Sequence, residues 1–148
     1  MSALYFEEFQ VGALFDTSSV LVDTDMVSRF AALTGDRNPI HEGERGIVHG
    51  MLLASLATGL ISGLGLTRGT LVAMIEQHLR YLGPVRCGET VHVRVEVVSR
   101  RRTGNPEKGI VEYRFQLRNE LKETVLEGNN RIMVFTLEHR DRKTEKQE

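Results

Sequence analysis

The chain has 148 residues, of which 41% are hydrophobic and 26% are charged, and its formal net charge is −1. This length suffices for one domain with a hydrophobic core, and the small charge gives no general attraction to nucleic acid or to acidic membranes. The single cysteine, Cys87, excludes an intrachain disulfide, and the first ten residues lack the cationic start of a signal peptide. We therefore expect a cytoplasmic protein.

The first part of the chain predicts one strand and one amphipathic helix. A strand is expected over 13–22, and apolar residues at helical spacing predict a helix over 25–33. Asp23 or Thr24 would cap the start of this helix, and Gly35 would end it.

Residues 34–41, Thr-Gly-Asp-Arg-Asn-Pro-Ile-His, form a strongly specified turn. Pro39 has a fixed φ and pushes Asn38 toward extended geometry. Asn38 and Asp36 can fold their side chains back onto backbone N–H groups. Such a turn can hold Asp36 and His41 in a fixed relation, which is what proton-transfer chemistry needs.

A long apolar helix is predicted over 48–62, ended by Gly63 and Gly65. Residues 47–66 carry no charged side chain and are long enough to span a bilayer. We favour a buried central helix instead, because the stretch contains His49 and several glycines.

From residue 70 onward, apolar residues alternate with polar ones, which predicts four strands. These strands cover 70–82, 91–97, 111–117 and 123–137, with turns at 84–89, 103–106 and 119–122. We expect an interruption of the last strand at Gly128. Residues 1–137 would form a single domain, and the polar tail 138–148 would fray.

A long apolar helix followed by an antiparallel sheet defines an α+β protein. The curved sheet can wrap its apolar face around the central helix, which is the hotdog arrangement. Such a sheet leaves edge strands that two subunits commonly pair. We expect a homodimer, and a dimer of dimers stays open.

Three segments resemble the MaoC-like, (R)-specific enoyl-CoA hydratases. Residues 30–41, Phe-Ala-Ala-Leu-Thr-Gly-Asp-Arg-Asn-Pro-Ile-His, resemble the hydratase motif of that family. Residues 47–56 resemble the segment that opens the family's central helix, and 84–91 resemble a turn and strand common in hotdog enzymes. Together the resemblance covers about residues 5–136.

The resemblance implies a hotdog dimer that adds water across the double bond of a trans-2-enoyl thioester. The product would be a (3R)-3-hydroxyacyl thioester. The family's catalytic pair falls on Asp36 and His41, and Asn38 is a further candidate substrate contact. The substrate itself carries coenzyme A or acyl carrier protein, and we expect no metal, redox cofactor, nucleic acid or membrane partner.

The residues themselves suggest how hydration would proceed. Asp36 and His41 can hold a water molecule and act as base and then acid. The thioester oxygen needs donors, and the start of the apolar helix offers free backbone N–H groups near Gly50 and Met51. Thr58, about two turns further on, is a weaker candidate for the same role.

The connection between His41 and His49, residues 42–48, is shorter than is usual in the family, where it helps cover the active site. The short connection leaves open a non-catalytic acyl-CoA-binding subunit, and a hotdog acyl-CoA thioesterase is a separate alternative. We expect His49 to hold the loop rather than to react. We also expect the arginines at 100–102 to be solvated rather than to bind phosphate. Chain length, carrier and pathway stay open.

Overall fold

The computed structural model describes residues 2–147 of the chain. This part contains five strands and three α-helices. In chain order they are β1 (Leu14–Leu21), α1 (Thr24–Thr34), α2 (Gly50–Gly63), β2 (Leu71–Tyr81), β3 (Thr90–Arg102), β4 (Lys108–Arg118), β5 (Thr124–Phe135) and α3 (Leu137–Glu145). Short 3₁₀ turns lie at Phe6–Glu8 and Pro39–His41.

The strands form one antiparallel sheet in the order β1-β3-β4-β5-β2. In the first part of β3, buried valines alternate with half-buried residues. The valine face of this strand therefore points into the core. Val93 pairs with Leu117 and Val95 with Phe115 across the β3–β4 ladder. The predicted strands are confirmed, and in β3 the period of two matches one buried face.

Strand β5 is not interrupted at Gly128, so that expectation was wrong. Gly128 pairs with Leu79 on β2 and with Phe115 on β4 without a shift of register. A Cβ atom at this position would overlap the Phe115 ring. The glycine therefore makes room for an aromatic side chain inside a regular ladder.

Helix α2 packs on the concave face of the sheet and buries Leu52, Leu53, Ala54 and Ala57. The predicted α+β class and the central apolar helix are confirmed. No helix within residues 2–147 is both long enough and apolar enough to cross a membrane.

Helix α2 begins two residues later than the predicted start at Val48. The Val48 N–H donates to the Val85 carbonyl (2.8 Å), and the backbone of His49, with ψ at 133°, is not helical. His49 becomes the residue that precedes the first turn.

The polar tail forms helix α3 instead of fraying. The Thr136 hydroxyl accepts a hydrogen bond from the His139 N–H, and Glu7 accepts one from the Leu137 N–H (2.9 Å). The Arg100 guanidinium donates to the carbonyls of Phe6 and Glu7. These contacts tie the two ends of the chain together, which local sequence patterns do not reveal.

Strands β1 and β2 form the two edges of the sheet. Strand β2 is exposed along most of its length, including several large apolar side chains: Leu71, Met74, Ile75 and Tyr81. An exposed apolar edge strand is a surface on which another strand can pair.

Candidate active site

The turn that carries Asp36 is held by its own side chains. Gly35 ends α1 with φ at 82°, a conformation that favours glycine. The Asp36 N–H donates to Thr34 Oγ1 (3.2 Å), and Asp36 Oδ1 accepts from the Asn38 N–H (3.3 Å). Asn38 Oδ1 in turn accepts from the Ile40 N–H (3.1 Å). The predicted folding back of Asp36 and Asn38 onto the backbone is confirmed.

His41 ends the 3₁₀ turn with one ring nitrogen already in use. Its Nδ1 lies 2.7 Å from the Ile47 carbonyl oxygen, which can only accept, so Nδ1 carries the proton. In the neutral ring Nε2 is then a bare acceptor. This tautomer leaves Nε2 able to take a proton.

The His41 Nε2 atom faces the Asp36 carboxylate. Nε2 and Oδ2 are 3.7 Å apart, and the side chains are 16% and 53% exposed, respectively. This distance is too long for a direct hydrogen bond. A water molecule placed beside both atoms could bond to each of them.

His49 lies beneath this pair and is only 2% exposed. Its Nε2–H donates to the Asp36 backbone carbonyl (3.0 Å). Its ring stacks on the His41 ring with 3.7 Å between centroids and 22° between planes. The prediction that His49 holds the loop is confirmed.

Asp36, Asn38 and His41 line a cleft of about 430 Å³. Helix α1, the Asp36 turn, the following loop and the connection between β2 and β3 supply its walls: Thr24, Val27, Ser28, Ala31, Asp36, Arg37, Asn38, His41, Glu42, Gly43, Glu44 and Cys87. Sequence reasoning missed the α1 wall. The spacing of Thr24, Ser28 and Ala31 on one face of a helix was the available signal.

The short connection from 42 to 48 returns closely against His41. A Cβ atom on Gly46 would lie 2.6 Å from the Glu42 carbonyl oxygen and closer still to that of His41. The Gly46 carbonyl accepts from the Cys87 N–H (2.9 Å), and the Ile47 N–H donates to the Ile40 carbonyl (3.0 Å). The connection is therefore compact and is bonded to the turn that contains Cys87.

Gly50 and Met51 form the first turn of α2, directly after His49. The space beside Gly50 holds the Tyr81 ring, and a Cβ atom there would be 2.8 Å from it. A ligand at the Gly50 N–H would therefore lie beside this ring. Met51 is 59% exposed. Tyr81 is exposed over nearly half of its surface, and the partial burial of its ring raises the pKa of the phenol.

Thr58 does not join Asp36 and His41. Its hydroxyl donates to the Ala54 carbonyl (3.0 Å). It lines a separate, largely apolar cavity of about 170 Å³, together with Tyr113 and Ile132. Burial raises the pKa of the Tyr113 phenol, and its hydrogen bond from Asn130 opposes that rise in part.

Asp36, His41 and His49 also form a group that could hold a metal ion. One ligand atom from each lies within 4.8 Å of the others. The His49 Nε2–H is already used by the Asp36 carbonyl, however. A metal at that nitrogen would have to replace this hydrogen bond.

A family model described as "MaoC like domain" matches residues 8–118. The chain belongs to the MaoC-like family. The match spans the Asp36 turn, helix α2 and the first four strands of the sheet.

Two relatives of this MaoC-like chain have named activities. It is 34% identical over 142 residues to an (R)-specific enoyl-CoA hydratase of Rhodospirillum rubrum, covering 88% of this chain and 91% of that protein. It is 39% identical over 108 residues to a 3-hydroxybutyryl-CoA dehydratase of Methylorubrum extorquens. That match covers 66% of each protein.

Solved structures support the hotdog fold of this MaoC-like chain. A monoamine oxidase regulatory protein from Archaeoglobus has a TM-score of 0.85 at 25% identity, covering 92% of this chain and 97% of that one. A Mycobacterium tuberculosis protein with a double hotdog fold has a TM-score of 0.79 at 20% identity, covering 90% and 44%. The second likeness concerns the fold alone.

Proposed function

We propose that this protein is a lyase that interconverts trans-2-enoyl thioesters, chiefly of coenzyme A, and (3R)-3-hydroxyacyl thioesters. The observation that carries the proposal is the pair in the cleft: the bare Nε2 of His41 faces the Asp36 carboxylate across 3.7 Å. The names of the Rhodospirillum and Methylorubrum relatives support the same reaction class.

The pair can activate water without any covalent intermediate. A water molecule between the two side chains gives a proton to His41 Nε2 as its oxygen bonds to C3 of the enoyl group. The electron pair of the double bond moves toward the thioester oxygen, and a proton from the pair is then added at C2. The Asp36 carboxylate stabilises the positive imidazolium in between. The overall reaction adds OH at C3 and H at C2, with no net change of oxidation state. We propose that no metal or redox cofactor takes part.

The developing charge on the thioester oxygen needs preorganised donors. The first N–H groups of a helix have no partner within it, and the helix dipole adds a positive potential there. We place the thioester oxygen at the N–H groups of Gly50 and Met51. The Tyr81 ring beside Gly50 would then form one wall of the substrate site.

The test is the loss of enoyl-thioester absorbance when crotonyl-CoA is added. Asp36→Asn and His41→Gln should each lower the rate by about 10²- to 10⁴-fold, the usual contribution of general acid–base catalysis. Asp141→Asn and His139→Gln, on helix α3, are matched controls that should keep the wild-type rate. Full activity of both cleft variants would contradict the assignment.

The same experiment distinguishes the alternatives. Release of free thiol from acyl-CoA would indicate a thioesterase, and tight binding of acyl-CoA without turnover would indicate a non-catalytic subunit. Chiral analysis of the 3-hydroxybutyryl product tests the R configuration. Parallel assays with acyl carrier protein test the carrier, and a series of chain lengths tests the acyl group.

We also propose a homodimer in the cytoplasm, in which β2 pairs with its copy. The exposed apolar side chains of this edge strand support the proposal. Light scattering after size-exclusion chromatography should give twice the chain mass. Ile75→Lys should shift the protein toward monomer, whereas a wild-type protein that is monomeric at micromolar concentration would contradict the dimer.

A further inference from the structure

We infer that His49 is a positioning residue for the hydration, because its ring holds Asp36 and His41 at the same time. The inference rests on the proposed function. It concerns the group that keeps the two catalytic side chains aligned, and it assigns His49 no direct contact with substrate.

The first contact fixes Asp36. The Asp36 side chain is 53% exposed, and its Oδ1 accepts from the Asn38 N–H. The Asp36 N–H donates to Thr34 Oγ1, so both bonds reach only two residues along the chain. The His49 Nε2–H bond to the Asp36 carbonyl (3.0 Å) comes from the start of helix α2 instead. It connects the Asp36 backbone to a buried side chain of the core.

The second contact fixes His41. The bond from Nδ1 to the Ile47 carbonyl sets one direction of the His41 ring but leaves rotation about that direction open. The His49 ring, stacked at 3.7 Å and 22°, sets the plane. With both in place, Nε2 stays directed at the Asp36 carboxylate.

The chemistry of residue 49 favours a polar role over simple packing. His49 is 2% exposed and also lies against the Phe30 ring, 4.9 Å between centroids. Its Nδ1 has no hydrogen-bond partner among residues 2–147. A phenylalanine would fill the same space without burying an unpaired nitrogen. The donor to Asp36 is therefore the contribution that an apolar ring cannot make.

Two substitutions separate the two contacts. His49→Phe keeps a stacking ring and removes the donor, whereas His49→Gln keeps a donor and removes the ring. Each should lower kcat for crotonyl-CoA by about 10- to 100-fold, as expected when catalytic groups are misplaced by about 1 Å. KM should stay within about threefold, because His49 makes no substrate contact. His139→Gln, which removes a stacked histidine from α3, should match wild type in both constants.

The state of the His41 ring gives a readout that does not depend on turnover. Nitrogen-15 NMR of the wild type should show His41 with its proton on Nδ1. His49→Gln, which removes the stacked ring, should show a mixture of tautomers, whereas His49→Phe should keep the wild-type tautomer. A kcat loss in either variant, together with the mixture of tautomers in His49→Gln, supports the inference.

Other results would overturn it. These are wild-type kcat in both variants, an unchanged His41 tautomer in His49→Gln, or a rate loss that disappears when rates are divided by the folded fraction measured by circular dichroism. If the wild-type protein does not hydrate any enoyl thioester, the proposed function has failed, and the tautomer comparison alone decides the role of His49.

Discussion

Gly46→Ala tests whether the short connection after His41 determines the catalytic geometry. A Cβ atom at residue 46 would lie 2.6 Å from the Glu42 carbonyl oxygen, whereas an ordinary contact is 3.4 Å or more. That oxygen has to move by about 0.8 Å, and the His41 carbonyl has to move further. Both are backbone atoms, so no side-chain rotation relieves the overlap.

The size of the effect follows from this displacement. A shift of about 1 Å at a catalytic group can cost about 10²-fold in rate, or about 2.7 kcal/mol of transition-state stabilisation. Overpacking should also lower the free energy of unfolding by about 1–3 kcal/mol. We expect a loss of this order in kcat/KM for Gly46→Ala at a temperature where the variant is still folded.

The assay is the hydration of crotonyl-CoA, with circular dichroism to measure the folded fraction. Gly104→Ala is the matched control, since a Cβ atom there meets nothing within 4 Å. If Gly46→Ala retains kcat/KM within threefold of wild type, the connection does not hold His41 in the way described.

Three further predictions concern stability, pH and metal. Gly128→Ala should destabilise the protein by about 1–3 kcal/mol in urea titration, since its Cβ overlaps the Phe115 ring; an unchanged midpoint would contradict this packing. Hydrogen bonds from Arg94 lower the pKa of Asp16. The ionised carboxylate therefore stabilises the fold at pH values above its ordinary pKa, and this stabilisation is lost as the pH falls through the lowered pKa. Asp16→Asn should thus lower the free energy of unfolding by about 0.5 kcal/mol at pH 7, as is typical of an exposed ion pair, and should have no effect well below pH 3.9. An equal loss of stability at every pH would refute the linkage. Dialysis against EDTA should leave the hydration rate unchanged, and a loss restored by added metal would show a metal requirement.

Regular elements were predictable where one physical pattern decides them. The alternating valines of β3 needed a single buried face, and Gly35 could end α1 because it adopts a positive φ. Gly128 and the tail were predicted wrongly. Their conformations depend on a ring from the neighbouring strand and on Glu7 at the other end of the chain.

The candidate site divides in the same way. The turn around Asp36 was predictable because its hydrogen bonds join residues within two positions of each other. The stacking of His49 on His41 and the Tyr81 ring beside Gly50 were not, since they join residues from separate elements. Thr58 was placed with the site by its distance along α2, but it faces a different cavity.

The contact between Gly50 and Tyr81 has a consequence for how relatives of this chain can differ. The two residues lie 31 positions apart in the sequence, yet the Tyr81 ring fills the space that a side chain at residue 50 would need. A relative with alanine at the first position needs a smaller or displaced side chain at the second. The two positions should therefore vary together during evolution, and a tyrosine at 81 should accompany glycine at 50.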